Sequence, residues 1–238
     1  MAKFIVSQNA IPKHLGFLPY NPTSNHKTYK RLNNLNKCLK MLNILTKGYK
    51  NILQLFYTNK TAVHLRAIAK KTSLNENSAY RFLKRLEDEK ILKSEKQGNL
   101  KLFSLRKNKQ VYAMLTFFDI ERYEKLPYIR KTAISYYLKS LPKQPVFAVL
   151  FGSTAKKTYR QDSDIDILLV TNQRMNTKRA ERIADAQSAL KISTFQMTYN
   201  AFIKEFKLQE EPVIQSAIET GYPLINHIKY YEVKSERI

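Results

Sequence analysis

Acidic residues are scarce in this chain, cysteine occurs once, glycine five times and tryptophan never. Each shortage closes something off. A lone Cys38 permits no intramolecular disulfide, so a reducing compartment, the cytoplasm, is the expected setting. His14, His26, His64 and His227 are scattered at no ligand spacing, which argues against a zinc site. No apolar run approaches the roughly 20 residues that span a bilayer, so no membrane partner is expected. The opening "MAKFIVSQNAIPKHLGFLP" lacks a long apolar core and an A-x-A-like cleavage site, so no secretory leader is expected. What is present speaks for a folded protein: 15 Tyr, 12 Phe and a hydrophobic fraction of 43%. A length of 238 residues accommodates one or two domains, each with its own core.

Charge is the first positive signal. Lysine and arginine number 42 against 19 acidic residues, a net of +23. Residues 1–110 hold 23 of the basic and 5 of the acidic side chains, a net of +18, which leaves +5 for residues 111–238. A Lys-rich solvated surface explains a high isoelectric point but not this split. The asymmetry points to a polyanion, duplex DNA above all, as partner of the first half.

Residues 1–45 form a basic extension broken by Pro12, Pro19 and Pro22. In it Leu32, Leu35, Leu39 and Leu42 recur at helical spacing; alternatively Met41 is the start and the preceding residues lie upstream of it. From there "YKNILQLFYT" predicts a short amphipathic helix. "AVHLRAIAKKTSL" predicts a second, with Val63, Leu65, Ile68 and Ala69 on one side. "TSLNENSAYRFLKRLEDEKIL" predicts a third, opened by a capping box of Ser73 with Glu76 and buried through Ala79, Phe82, Leu83 and Leu86. Asn75, Asn77, Ser78, Arg81, Lys84 and Arg85 fall mostly on its other face, and all of them are side chains able to bond phosphates or base edges. "ILKSEKQGNLKLFSL" then predicts a β-hairpin turning at "KQGN".

This order of elements over about 60 residues resembles a winged helix-turn-helix domain. The resemblance implies a third helix in the major groove and a wing, with Lys96 on it, against the backbone. Some domains of this kind dock proteins instead. Residues 108–142 read as two linking helices, the first with Tyr112, Leu115 and Phe118 on one stripe.

After Pro145, "VFAVLF" is a continuous apolar run of strand length, the pattern of a strand buried on both faces. Gly152 and Ser153 close it, where glycine lets a phosphate approach the backbone and the serine hydroxyl adds a donor. Ten residues on, "DSDIDILLV" predicts a second strand with Asp164 and Asp166 on one face and Ile165, Ile167 and Leu169 on the other. Two rises of about 3.3 Å place the two carboxylates roughly 6–7 Å apart, close enough to share a divalent cation. Taken alone, such aspartates also occur as solvated caps of a strand edge.

Strand, Gly152-Ser153, Ala155-Lys156 and the Asp162-Ser163-Asp164-Ile165-Asp166 run together resemble the polymerase β superfamily of nucleotidyltransferases, its minimal members in particular. The resemblance covers 60–90 residues. It implies an NTP, ATP first among the choices, with phosphates at Gly152, Ser153 and Lys156. It also implies one or two Mg²⁺ ions on Asp164 and Asp166, which would be both metal ligands and catalytic residues. An acceptor would attack the α-phosphorus and release pyrophosphate. Two features depart from the family pattern. Lys157 stands where glycine is frequent, and the next predicted strand, "KISTFQMTYNAF", has no carboxylate, so that Thr194 or Gln196 takes the expected place of the third.

The expected fold class is α+β. A winged helix (46–107), a helical linker (108–142) and a small mixed sheet flanked by helices (143–238) follow the extension. Two functions remain open at this point. One is a cytoplasmic nucleotidyltransferase acting on a protein hydroxyl, such as a toxin-like partner's, on an RNA end or on a small molecule. The other is a DNA-binding, antitoxin-like regulator whose transferase domain senses nucleotide or docks a partner. Winged-helix proteins are often dimers, so a homodimer is a further expectation.

Overall fold

A computed structural model describes residues 47–59 and 61–236, which hold ten helices and seven strands. The expectations for residues 1–45, the basic helix and Met41 among them, lie outside the described residues.

The first part runs α1 (Lys47–Thr58), β1 (Val63–His64), α2 (Leu65–Thr72), α3 (Glu76–Asp88), β2 (Leu92–Gln97) and β3 (Leu100–Leu105). Three helices therefore precede a β-hairpin, as the periodicity predicts. Ile52, Leu53, Ile68, Ala79, Leu83 and Leu86 form the core between them. The hairpin turns on Gly98 and Asn99. Gly98, at φ +58°, takes the left-handed place that a two-residue primed turn requires.

Two expectations are corrected here. Val63 and His64 do not belong to the second helix; they pair with Phe103 and Leu102 and extend the hairpin into a three-stranded sheet of order β1-β3-β2. Nor does Ser73 open α3. It ends α2 in the left-handed conformation, φ +56°, and the cap of α3 is Asn75, whose side chain accepts the Ser78 N–H at 2.8 Å. Both side chains suit a cap, and the tight turn between the helices uses Ser73 for its backbone instead.

Two linking helices follow, α4 (Lys109–Glu124) and α5 (Tyr128–Lys139). The remainder is β4 (Phe147–Phe151), α6 (Gly152–Lys156), β5 (Ile165–Thr171), α7 (Lys178–Ser188), β6 (Ile192–Thr198), α8 (Tyr199–Leu208), α9 (Pro212–Thr220), β7 (Tyr222–Ile225) and α10 (His227–Ser235). The strands form a mixed sheet of order β6-β5-β4-β7, with β5 and β6 parallel and the other neighbours antiparallel. The α+β class is as expected. The terminal helix α10 is an addition that the sequence pattern did not reveal, because its buried face is made of Tyr230, Tyr231 and Val233 and not of an aliphatic stripe.

Both faces of the sheet are covered, which explains the unbroken apolar run of β4. Ile165, Ile167, Leu169, Ala148 and Leu150 pack under α5 and α7 through Ala133, Ile134, Tyr137, Ala180 and Ala184. Leu168, Val170, Phe147, Val149 and Phe151 pack on the other side under α8, α9 and α10.

A buried polar cluster ties α1 and α4 to the second part. Asp119 is fully buried and accepts hydrogen bonds from Tyr57 Oη at 2.7 Å and from Tyr231 Oη at 2.9 Å to each oxygen. Arg122 donates to Tyr57 Oη at 3.1 Å, to the Ala155 carbonyl at 3.0 Å and to the Thr220 carbonyl at 3.2 Å, and its guanidinium lies over the Tyr222 ring. Burial outweighs the hydrogen bonds and pushes Asp119 up to about 7. The folded state therefore keeps a proton that the unfolded carboxyl, at about 4, gives up. Stability falls as pH rises from about 4 to about 7 and is level above, by up to about 4 kcal/mol from this group. Urea unfolding of Asp119→Asn between pH 5 and pH 8 is expected to lack most of the decline that the unsubstituted chain shows. Equal slopes for the two proteins would refute this assignment.

Candidate active site

The site forms where β4 ends and β5 begins. Antiparallel pairing sets Phe151 opposite Asp166, so the glycine that follows Phe151 lies beside that aspartate. A β-carbon placed on Gly152 would stand 2.0 Å from Asp166 Oδ2, and the backbone there has φ +67°. Glycine is required twice over, by its left-handed conformation and by the carboxylate that occupies the space of a side chain. Gly152 and Asp166, fourteen positions apart in the sequence, are thus one structural unit.

Asp164 immediately precedes β5 and is exposed, whereas Asp166 is half-buried. Burial, and after it the charge of Asp164, pushes the Asp166 carboxyl above the ordinary range. Neither aspartate forms an ion pair among the described residues. Ser153 lies in the first turn of α6, and its carbonyl accepts the Thr158 N–H at 3.0 Å. Lys156 ends α6 and is exposed, on a cleft that neither Gly152 nor either aspartate lines.

The expectation for the third carboxylate is corrected by register. β6 runs parallel to β5 with Ser193 beside Asp166 and Thr194 beside Ile167. Thr194 and Gln196 therefore point to the opposite face. The Thr194 and Tyr137 hydroxyls lie 2.8 Å apart, and Gln196 Oε1 accepts the Met175 N–H at 3.3 Å. Ser193 and Phe195 share the aspartate face; Phe195 is 37% exposed and its ring packs edge-on to Phe151. Among the described residues no three His, Cys, Asp or Glu side chains converge to hold a metal. Two carboxylates nonetheless suit Mg²⁺, which is commonly held by one or two carboxylates together with water and substrate phosphates.

The loop that delivers the aspartates hangs on Arg130, which the sequence reading did not single out. Arg130 is 2% exposed on α5. It donates to Thr154 Oγ1 at 2.8 Å, to the Arg160 carbonyl at 2.8 Å and to the Ser163 carbonyl at 3.1 Å, and it stacks on Tyr159 at 3.9 Å. It thus fixes both ends of the segment between α6 and Asp164 with a planar fork that lysine could not reproduce. A signal was present in the sequence. Arg130 stands on the same helical stripe as Ala133, Ile134 and Tyr137, all buried.

Residues expected to meet DNA lie mainly on α3. Asn77, Arg81, Lys84 and Lys96 are exposed. Asn75 is occupied as the helix cap, Ser78 gives its N–H to that cap, and Arg85 is bonded to Glu89 at 3.0 Å while lying over the Tyr49 ring.

Lys157 carries φ +61° at the end of α6, the conformation in which glycine is free of strain. Lys157→Gly is expected to raise unfolding stability by about 1 kcal/mol, whereas Gly152→Ala is expected to lower it by about 2 kcal/mol or more. Denaturant titration of both variants checks the pair, and equal small effects would contradict the conformations described.

In comparisons with known proteins, residues 132–228 match the family model described as Polymerase beta, Nucleotidyltransferase. Two solved structures that resemble the chain are human N-acetylserotonin methyltransferase in complex with SAM and a mutant of Lactococcus lactis ZitR in apo form. The first has 13% identity and a TM-score of 0.25 over 50% of this chain, which spans only 39% of that one. The second has 20% identity and a TM-score of 0.27 over 49% of this chain and 96% of that one. At these scores neither likeness bears on the fold. No curated protein matches the chain. Residues 132–228, which hold the mixed sheet, the Gly152 turn and the two aspartates, are thus the part of the chain that is similar to the polymerase β nucleotidyltransferase family.

Proposed function

We propose that the chain is a nucleotidyltransferase that moves a nucleoside monophosphate from an NTP to an acceptor hydroxyl, carried behind a DNA-binding winged helix. The observation that supports the first part is the contact of Asp166 with Gly152, since it sets a carboxylate against the bend where a triphosphate would lie. Asp164 and Asp166 would hold Mg²⁺, which when bound supplies neutralisation of phosphate charge. The chain's own work is positioning. Gly152 leaves room beside the carboxylate, Ser153 offers a hydroxyl to phosphate, and Arg130 holds the loop that presents Asp164. The acceptor oxygen bonds to the α-phosphorus, the bond to the bridging oxygen breaks, and pyrophosphate leaves with that electron pair. No carboxylate from β6 faces the site to take the hydroxyl proton, which passes to water. ATP is the first NTP to try, and a partner protein's hydroxyl the first acceptor.

Labelled ATP with Mg²⁺ and candidate acceptors tests the reading. Transfer is expected, and Asp166→Asn is expected to lower it at least about a hundred-fold. The face of β6 that carries Ser193 and Phe195 in place of a carboxylate favours a second reading, in which the domain binds nucleotide or a partner without transfer. Nucleotide binding with no label on any acceptor would decide for that alternative.

For the first part, support comes from the three helices and hairpin in winged-helix order, the exposed Asn77, Arg81, Lys84 and Lys96, and the +18 carried by residues 1–110. Duplex DNA affinity is expected to fall steeply with salt. Lys84→Ala is expected to reduce the slope of log affinity against log salt by about one. Binding that is absent, or indifferent to salt, would remove the DNA assignment.

A further inference from the structure

A cleft of about 760 Å³ opens between the end of α1, the foot of the hairpin and α4 on one side and α6, α9 and α10 on the other. The volume is that of a small-molecule site, commonly about 300–1,000 Å³. Its floor is apolar and largely aromatic, with Phe56, Val111, Tyr112, Leu115 and Phe118. Its rim is cationic, with Lys93, Arg106, Lys107, Lys125, Lys156 and Lys157. Arg122 and Lys234 bring the cationic side chains to eight, while Glu121 and Glu219 are the acidic ones. Glu121 is itself engaged by Lys50.

Such an excess of one sign above a low-dielectric floor concentrates positive potential inside the cleft. The charges come from four separate elements, so the excess is not the solvated face of a single helix. A ligand that answers both features has an anionic group for the rim and a flat apolar body for the floor. We infer that the cleft is a second ligand site that binds a nucleoside phosphate, distinct from the site at Gly152 and the aspartates. None of Gly152, Ser153, Asp164 and Asp166 lines it. The phosphates meet Arg106 and Lys125 at the rim, and the base lies on the aromatic floor beside Tyr57 and Tyr112. The wall includes Arg122, whose guanidinium holds the Ala155 carbonyl of α6, the helix that begins at Gly152. An occupant therefore touches a side chain already bonded to the active-site turn.

Isothermal titration of the full chain with ADP, in EDTA and without divalent metal, tests this. One-to-one binding is expected. Replacing the exposed Arg106 and Lys125 together by alanine is expected to weaken it at least ten-fold, Asp166→Asn is expected to leave it unchanged, and inorganic pyrophosphate is expected to bind at least ten-fold more weakly than ADP. Thermal unfolding of the double variant verifies that it is folded, and the single Lys125→Glu gives the same reading if it is not. The inference is overturned by absence of saturable binding at millimolar ADP. It is equally overturned by loss of binding in Asp166→Asn with retention in the double variant, or by pyrophosphate binding as tightly as ADP. None of these outcomes depends on whether the aspartate site transfers nucleotide.

Discussion

A carboxylate oxygen occupying the place where a side chain would begin at Gly152 is the constraint on which the site is built. It requires β4 and β5 to pair in one register, because a shift of one residue would put Asp166 on the far side of the sheet. It requires the strand to end in a left-handed glycine, so that the chain turns into α6 beneath the carboxylate. It also leaves Asp166 half-buried and beside Asp164, which raises the free energy of its charged form.

Holding that arrangement falls to buried and half-buried charged side chains on the two linking helices. Arg130 of α5 has no carboxylate partner among the described residues, and carbonyls, a hydroxyl and an aromatic face satisfy it instead. All of those partners except Thr154, which is on α6, lie in the stretch between α6 and Asp164, so the cost of burying the guanidinium is fully offset only when the loop is in place. Asp119 and Arg122 of α4 join Tyr57, Tyr231 and the Ala155 carbonyl. The linking helices thus form part of the core that holds the four-stranded sheet to the helices before it, and the basic cleft is the gap left beside this contact.

Much of this was legible in the amino-acid order, and the exceptions are instructive. Helical and strand periods locate α1, α3, the hairpin, β4 and β5, and the Gly-Ser pair with its following aspartates marks the site. Ser73 and Asn75 compete for one cap, and a choice between two equally suitable side chains depends on the angle at which α2 meets α3. On β6 the two alternating sets, Ile192-Thr194-Gln196 and Ser193-Phe195-Met197, each mix polar and apolar residues. Nothing in the strand itself states which set faces Asp166, and the pairing with β5 decides it.

The sequence by itself determined the element types, the concentration of positive charge in the first half, and the presence of a glycine bend and two acidic side chains one strand apart. These are properties of neighbours along the chain, where repeat period and side-chain chemistry suffice. Only the tertiary structure decided that Thr194 and Gln196 turn away from the aspartates, that Arg130 is buried beneath the loop, and that cations from four elements surround one cleft. Those outcomes depend on which strands pair and which helices meet, and pairing across a sheet or a helix contact is settled by packing between residues that the chain order keeps far apart.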